Sequence, residues 1–300
     1  MRWFTSDLLN FSVERIAIIG GDGVIGCRLI KFWRETGLEV ITTTRRQTTS
    51  QAEVVLLDLA SPQFGQLLRW RPQLAFICAA VTSVRLCETN DYLADLVNCQ
   101  NTIKLIQLLT GIDCFTVLLS TNLVFDGMHR SPTESDLPNP LTKYGRSKAK
   151  AETIALSMQG TAVVRLTKVL SAETRLLQEW RNYWRKGWAI NVYSNAFCAP
   201  VGIQQVVTGL SQIGMERAHG VWHFSSPDEI AYTEMAKLYA TEFGVSLDLV
   251  CGIETTVPYL AERHAGLSTA ATGRRFGWSF PRASEVVRLT ARETNMINQM

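Results

Sequence analysis

Two short segments of this 300-residue chain carry chemistry in their spacing. The first is Gly20-Gly21-Asp22-Gly23-Val24-Ile25-Gly26, which satisfies both Gly-x-x-Gly-x-x-Gly and Gly-x-Gly-x-x-Gly. In such a loop one glycine lets the chain turn sharply, one lets a pyrophosphate approach the backbone, and one lets a helix pack on a strand. The helix that follows offers unpaired N–H groups and its positive dipole end to phosphates. The second segment is Tyr144-Gly145-Arg146-Ser147-Lys148, whose i,i+4 spacing puts Tyr144 and Lys148 on one helix face. That pair suits carbonyl reduction. A hydride arriving at a carbonyl carbon leaves charge on oxygen, which needs a proton. A phenol with an ordinary pKa of about 10 is a poor donor at neutral pH. A neighbouring ammonium favours the phenolate and brings the group toward the working range. A third member stands in Leu119-Ser120-Thr121-Asn122-Leu123-Val124-Phe125-Asp126-Gly127, where Thr121 sits at a strand end and can hydrogen-bond a substrate oxygen, with Ser120 the second choice. Tyr-x-x-x-Lys alone is usually a helix surface, and a glycine loop alone is often only a turn. Three features in this order make coincidence a poor explanation.

The elements needed to position these residues are legible. Arg15 to Ile19 reads as a buried strand running into the glycine loop, and Val24 to Thr36 as the helix behind it, ended by Gly37. Further strands are expected at Leu38–Thr43, Val54–Leu57, Leu74–Ala80, Phe115–Ser120 and Ala162–Leu166, with helices at Asp91–Leu109 and Thr142–Met158. Apolar strands without polar alternation imply burial on both faces and a parallel sheet. Alternation with helices gives an α/β class, a Rossmann-type doubly wound parallel sheet. The later residues are less regular: helices near Ala172–Lys186, Ile203–Ile213, Thr233–Phe243 and Ala283–Asn295, and strand-like pieces at Ala189–Tyr193 and Val221–Phe224. The expected organisation is a dinucleotide-binding domain over residues 1–168 and a smaller, mainly C-terminal substrate lobe over 169–300, with some segments returning to the first domain.

Composition narrows the function classes. Hydrophobic residues make up 46% and charged residues 19%, which excludes a disordered chain. With 30 Lys+Arg against 27 Asp+Glu, the net charge of +3 is too mild to demand a nucleic-acid partner. Residues 1 to 14 hold no apolar core of signal-peptide length and no later run approaches a membrane span, so a cytoplasmic protein with no membrane partner is expected. Seven cysteines without a Cys-x-x-Cys read as reduced thiols. The four histidines show no metal-ligand spacing, and no metal is expected. His223, between Trp222 and Phe224, reads as core, and Trp180, Trp184 and Trp188 recur as a packing stripe.

Cofactor choice is made after the second strand, where NAD binders usually place an acid for the ribose hydroxyls. Here the sequence is Thr42-Thr43-Thr44-Arg45-Arg46. A guanidinium can pair with a 2′-phosphate through two hydrogen bonds, so NADPH is expected over NADH, with Arg45 the first candidate and Arg46 the second. A solvated basic pair is an equal explanation for either arginine alone.

Together these residues resemble the extended short-chain dehydrogenase/reductases, and among them most nearly the dTDP-4-dehydrorhamnose reductases. The likeness runs through Ile16–Gly26, Cys78–Glu88, Asn98, Ser120–Gly127, Pro138–Glu152 and Val163–Leu166, with weaker echoes at Cys198-Ala199-Pro200, Gly220–His223 and Gly266–Trp278. It implies NAD(P)H-dependent reduction of a 4-keto sugar on a nucleotide carrier, with Thr121, Tyr144 and Lys148 catalytic. The expected cofactor contacts are Gly20, Asp22, Gly23, Val24, Ile25 and Gly26 in the loop, then Arg45, Arg46, Asp58, Leu59, Ala79, Ala80, Asn98 and Lys148. The expected substrate contacts are Thr82, Val84, Asn122, Lys168 and Pro200. The partner is a small nucleotide sugar, and a homodimer is compatible with the sequence.

Three departures lie toward the substrate. Asn122-Leu123 stands where the family shows Asp-Tyr, Val84-Arg85 where it shows Val-Asp, and Lys168 where it carries a tryptophan near the sugar. Lys168 and Arg85 could serve an anionic substrate, although exposed charge is the plainer explanation of both. A sugar-nucleotide epimerase would use the same triad and hold NAD, against which Arg45-Arg46 argue. A dehydratase would want an acid pair after Thr121. The remaining alternative is an idle NADP-binding subunit, as in the regulatory subunit of methionine adenosyltransferase, which looks like this fold.

Overall fold

A run of apolar residues flanked by glycine turns has one stable use in an α/β chain, as a strand covered on both faces. The computed structural model describes residues 13–46 and 53–299, and in it such runs form the middle of a seven-stranded sheet. Residues 1–12, read above for a signal peptide, lie outside the described residues.

The first part of the chain alternates β1 (Arg15–Ile19), α1 (Val24–Arg34), β2 (Glu39–Thr44), β3 (Val54–Leu56), α2 (Gly65–Trp70), β4 (Leu74–Ile77), α3 (Val84–Thr89), α4 (Asp91–Asp95), α5 (Thr102–Thr110), β5 (Phe115–Thr121), α6 (Lys143–Leu156) and β6 (Thr161–Leu166). The remainder supplies β7 (Val169–Leu170), α7 (Arg175–Trp184), β8 (Ile190–Tyr193), β9 (Phe197–Cys198), β10 (Val201–Gly202), α8 (Ile203–Met215), β11 (Gly220–Phe224), β12 (Ile230–Ala231), α9 (Tyr232–Glu242), β13 (Val250–Ile253), α10 (Ala270–Phe276) and α11 (Ala283–Gln299).

The large sheet has the order β11-β6-β5-β4-β1-β2-β3. β1 pairs in parallel with both β2 and β4, so the strand order reverses on either side of it. In open α/β sheets a ligand crevice opens beyond the carboxyl ends of the strands at such a switch point. The glycine loop leaves β1 there, and Ala79-Ala80 follow β4 beside it.

The helix expected over Asp91–Leu109 is present but not uniform. Residues Leu96–Asn101 form a π-helical segment between α4 and α5. The Thr102 hydroxyl donates to the Val97 carbonyl, five residues back, and so follows the wider turn. Such widened turns recur at functional sites. Helices α2, α3 and α10 and strand β13 carry no pattern that the sequence reading used.

The chain divides into two units. One comprises Met1–Ser120, Thr142–Val164 and Val207–Val221, the other Thr121–Leu141, Arg165–Val206 and Trp222–Met300. Against the expected border after residue 168, residues 121–141 and 165–168 group with the second unit, while 207–221 return to the first. In the first unit the core joins Ile19, Ile41, Leu67, Ile77, Leu105 and Leu118. In the second it joins Leu177, Trp180, Trp184, Val192, Tyr239 and Val287. Trp180 and Trp184 are buried as expected of packing residues, but α7 ends at Trp184 and Trp188 is exposed. β8 pairs in parallel with β13, a partner 60 residues away by register Ile190↔Val250. His223 is fully buried. Burial pushes its pKa down to about 3, and Arg165 adds to that, so the ring stays neutral in the core.

Candidate active site

The phosphate loop is shaped by the chain's own packing at all but one of its glycines. Gly20 has φ +89°, and a Cβ there would stand 2.7 Å from the Ala79 nitrogen, so the loop and the β4 exit pack too closely for a side chain. A Cβ on Gly26 would overlap the Gly20 carbonyl oxygen, and one on Gly21 the Thr42 hydroxyl. Gly23 differs: the nearest atom to a Cβ there is 3.5 Å away. Its lack of a side chain answers no demand of the protein and leaves the backbone approachable from outside. Gly23 is also the N-cap of α1, with no side-chain cap bond, and no carboxylate sits in the first turn. The N–H groups of Val24, Ile25 and Gly26 therefore open the helix without an intrahelical acceptor. This arrangement fits a bridging diphosphate.

Two threonines at the end of β2 hold the loop in place. Gly20 N–H donates to Thr43 Oγ1 (3.0 Å) and Gly21 N–H to the Thr43 carbonyl (2.9 Å). Thr44 Oγ1 donates to Asp22 Oδ2 (2.5 Å) and accepts from Arg46 N–H (3.0 Å). The Asp22 carboxylate is thus engaged by β2, while Arg45 and Arg46 are exposed beside it. Asp58 caps its own turn, accepting from Ala60 N–H (2.9 Å), and the Leu59 carbonyl accepts from Asn101 (2.7 Å).

Helix α6 starts at an N-cap, with Thr142 Oγ1 accepting from Gly145 N–H (2.9 Å). Its buried face carries Tyr144, Lys148 and Glu152 at successive four-residue steps, with exposures of 9%, 2% and 1%. Burial lowers the Lys148 pKa to about 8, and the Glu152 carboxylate works against that shift. The Cys78 thiol at the exit of β4 is pushed up to about 12 by burial, with the Lys148 charge opposing.

Asn98, expected to touch cofactor, is fully buried and committed within the chain. Its Oδ1 accepts from Val81 N–H (2.7 Å), and its Nδ2 donates to the Val81 carbonyl (3.0 Å) and to Ser147 Oγ (3.2 Å). Ser147 Oγ donates in turn to the Tyr144 carbonyl (2.8 Å). The π-helical segment therefore fastens the β4 exit to the turn of α6 that bears Tyr144. Ser120 Oγ is buried without a hydrogen-bond partner among the described residues. Thr82 is exposed, and Val84 opens α3 behind the Ser83 cap.

In the second unit, Thr121 ends β5 and its Oγ1 accepts from Leu123 N–H (3.2 Å), capping the short turn Asn122–Val124. Asn122 Nδ2 donates to the Ala265 carbonyl (3.0 Å). The segment around Ala265 is held by Glu229, which accepts from the N–H groups of Ala265 (2.5 Å) and Gly266 (2.7 Å). Pro200 is buried. Arg85 is exposed, whereas Lys168 is partly buried: burial lowers its pKa, and its Nζ lies 5.9 Å from the Tyr232 ring centre.

Sequence reasoning missed Thr43, Thr44, Asn101, Ser147, Glu152 and Glu229. Only Glu152 left a local signal, one further four-residue step along α6. The hydrogen bonds of Thr43, Thr44, Asn101 and Glu229 span 22 to 42 residues.

Comparison with known proteins gives one consistent family. The RmlD substrate binding domain matches residues 14–295. Methionine adenosyltransferase 2 subunit beta from Bos taurus is 24% identical over 251 residues, 79% of this chain and 74% of that protein. The dTDP-4-keto-6-deoxy-D-glucose reductase of Streptomyces niveus is 26% identical over 275 residues, covering 85% and 92%. Among solved structures, dTDP-4-dehydrorhamnose reductase from Bacillus anthracis in complex with NADP superposes with a TM-score of 0.82 at 20% identity, over 95% of this chain and 100% of that one.

Proposed function

Since the chain belongs to the RmlD substrate binding domain family, we propose that it is an NADPH-dependent oxidoreductase that reduces the keto group of a nucleotide-linked 4-keto sugar. The observation that carries this reading is the buried column Tyr144–Lys148–Glu152 on α6. The dinucleotide, when bound, supplies the hydride. The loop Gly20–Gly26 receives its diphosphate at Gly23 and the first turn of α1, and Arg45, with Arg46 second, takes the 2′-phosphate. Tyr144 gives its hydroxyl proton to the carbonyl oxygen as charge builds there. Lys148 stays cationic below about pH 8, favours the phenolate left behind and holds the ribose hydroxyls. Thr121 donates a hydrogen bond to the same substrate oxygen. Asn98 acts through the β4 exit and Ser147 rather than by touching the ligand.

A second reading, a subunit that binds the dinucleotide without turnover, is favoured by the likeness to the adenosyltransferase subunit. One experiment separates them: nucleotide-linked 4-keto sugars are screened for NADPH oxidation with wild type and Tyr144→Phe. The expected result is turnover by wild type and a loss of about 100-fold or more in the variant, with NADPH affinity unchanged. Tight NADPH binding with no turnover on any keto sugar selects the second reading. Normal turnover by Tyr144→Phe removes the proton-donor role.

A further inference from the structure

A buried ammonium normally has a carboxylate or several acceptors around it, because desolvation otherwise favours its neutral form. Lys168, partly buried, has neither among the described residues: its Nζ lies 5.9 Å from the Tyr232 ring centre, and the Cys198 thiol is the other group that acts on it. Tyr232 is itself partly buried. Glu229, a carboxylate that acts on the neighbouring Cys198 thiol, is already filled by Ala265 N–H, Gly266 N–H and His264 Nδ1 (3.0 Å).

The backbone around this corner is fixed. Val201 N–H donates to the Lys168 carbonyl (2.9 Å), and β7 pairs with β10 directly after it. Tyr232 follows β12, which pairs with β9 through Ile230↔Cys198. Ala199-Pro200 join β9 to β10, so one tight turn ties the lysine to the tyrosine. The backbone that carries Lys168 and Tyr232 is thus set before any ligand arrives, which limits the entropy lost when one binds.

We infer that Lys168, set over the Tyr232 ring, binds an anionic oxygen group of the ligand, a sugar carboxylate or a phosphate of the nucleotide carrier. The inference rests on the nucleotide-sugar reading above. An ammonium partly withdrawn from water selects an anion over a neutral hydroxyl because only the anion repays its desolvation.

The test is calorimetry on the full chain saturated with NADPH, using UDP-glucose, UDP-glucuronate and the two corresponding dTDP sugars, for wild type, Lys168→Met and Lys168→Arg. Lys168→Met is expected to weaken at least one ligand by about tenfold or more, with NADPH affinity kept and melting temperature no lower than wild type. Lys168→Arg should retain most of the affinity. Weakening confined to the uronates puts the anionic group on the sugar, and equal weakening of all four puts it on the diphosphate. Binding by wild type that Lys168→Met leaves within about twofold overturns the inference alone. If wild type holds NADPH but none of the four sugars, the nucleotide-sugar reading falls and takes this inference with it.

Discussion

Each unit of the chain withdraws a lysine from water, Lys148 fully and Lys168 partly, and the two are treated differently. Lys148 in the first unit has its counter-charge built in: Glu152 stands one turn further along α6 and resists the loss of the proton that burial encourages. Lys168 in the second unit has an aromatic face and, among the described residues, no carboxylate. A charge that takes part in every catalytic cycle needs a fixed protonation state, which an internal partner supplies. A charge that meets its partner only on binding does better without one, since an internal ion pair would have to be broken first. The surroundings follow the same division. The glycine loop is held by Thr43, Thr44 and tight glycine packing, whereas the Lys168 ammonium has no carboxylate partner among the described residues.

The sharpest way to break the comparison is to give Lys148 the environment of Lys168. Glu152→Gln should cost about 3 kcal/mol in denaturant unfolding and move the alkaline limb of turnover. In wild type the folded pKa of Lys148 is about 8, below the ordinary 10.5. Ammonium-dependent activity should therefore fall as pH rises through 8, while the stability contribution of this group rises between 8 and 10.5, where the unfolded chain binds the extra proton. The variant should lose activity at lower pH than wild type. An unmoved limb would mean that Glu152 does not support the lysine.

A second experiment asks how much of the loop serves the fold and how much the ligand. Gly26→Val should cost roughly 1–3 kcal/mol or more of stability, because its side chain would overlap the Gly20 carbonyl. Gly23→Ala should melt within a degree or two of wild type and bind NADPH about tenfold more weakly, since its Cβ meets only space that a diphosphate would use. Equal melting losses for both would place Gly23 among the structural glycines.

The smallest effect concerns the pair after β2. NADPH should bind at least about tenfold tighter than NADH, and Arg45→Ala should shrink that ratio. Equal affinities in wild type would show that the pair is merely solvated.

Much of the first unit was legible because its signals are local. β1 and the glycine loop lie where apolar run and spacing put them, and α6 begins one residue from its expected start. The helix read over residues 91–109 is there too, but its middle winds as a π-helix, which the pattern did not announce. In the second unit the strands are two to four residues long and pair with distant partners, as β8 does with β13. Runs that short carry little periodicity to read.

What the sequence by itself determined is the kind of chemistry, since glycine spacing and the i,i+4 tyrosine and lysine are constrained by backbone geometry within a few residues. Only the tertiary structure decided which charges are buried and which polar groups are already spent. It spent Asn98 on Val81 and Ser147, buried Lys148 with Glu152, and drew Lys168 partly out of solvent. Desolvation and hydrogen-bond supply are properties of neighbours in space, and those neighbours lie tens of residues apart along the chain.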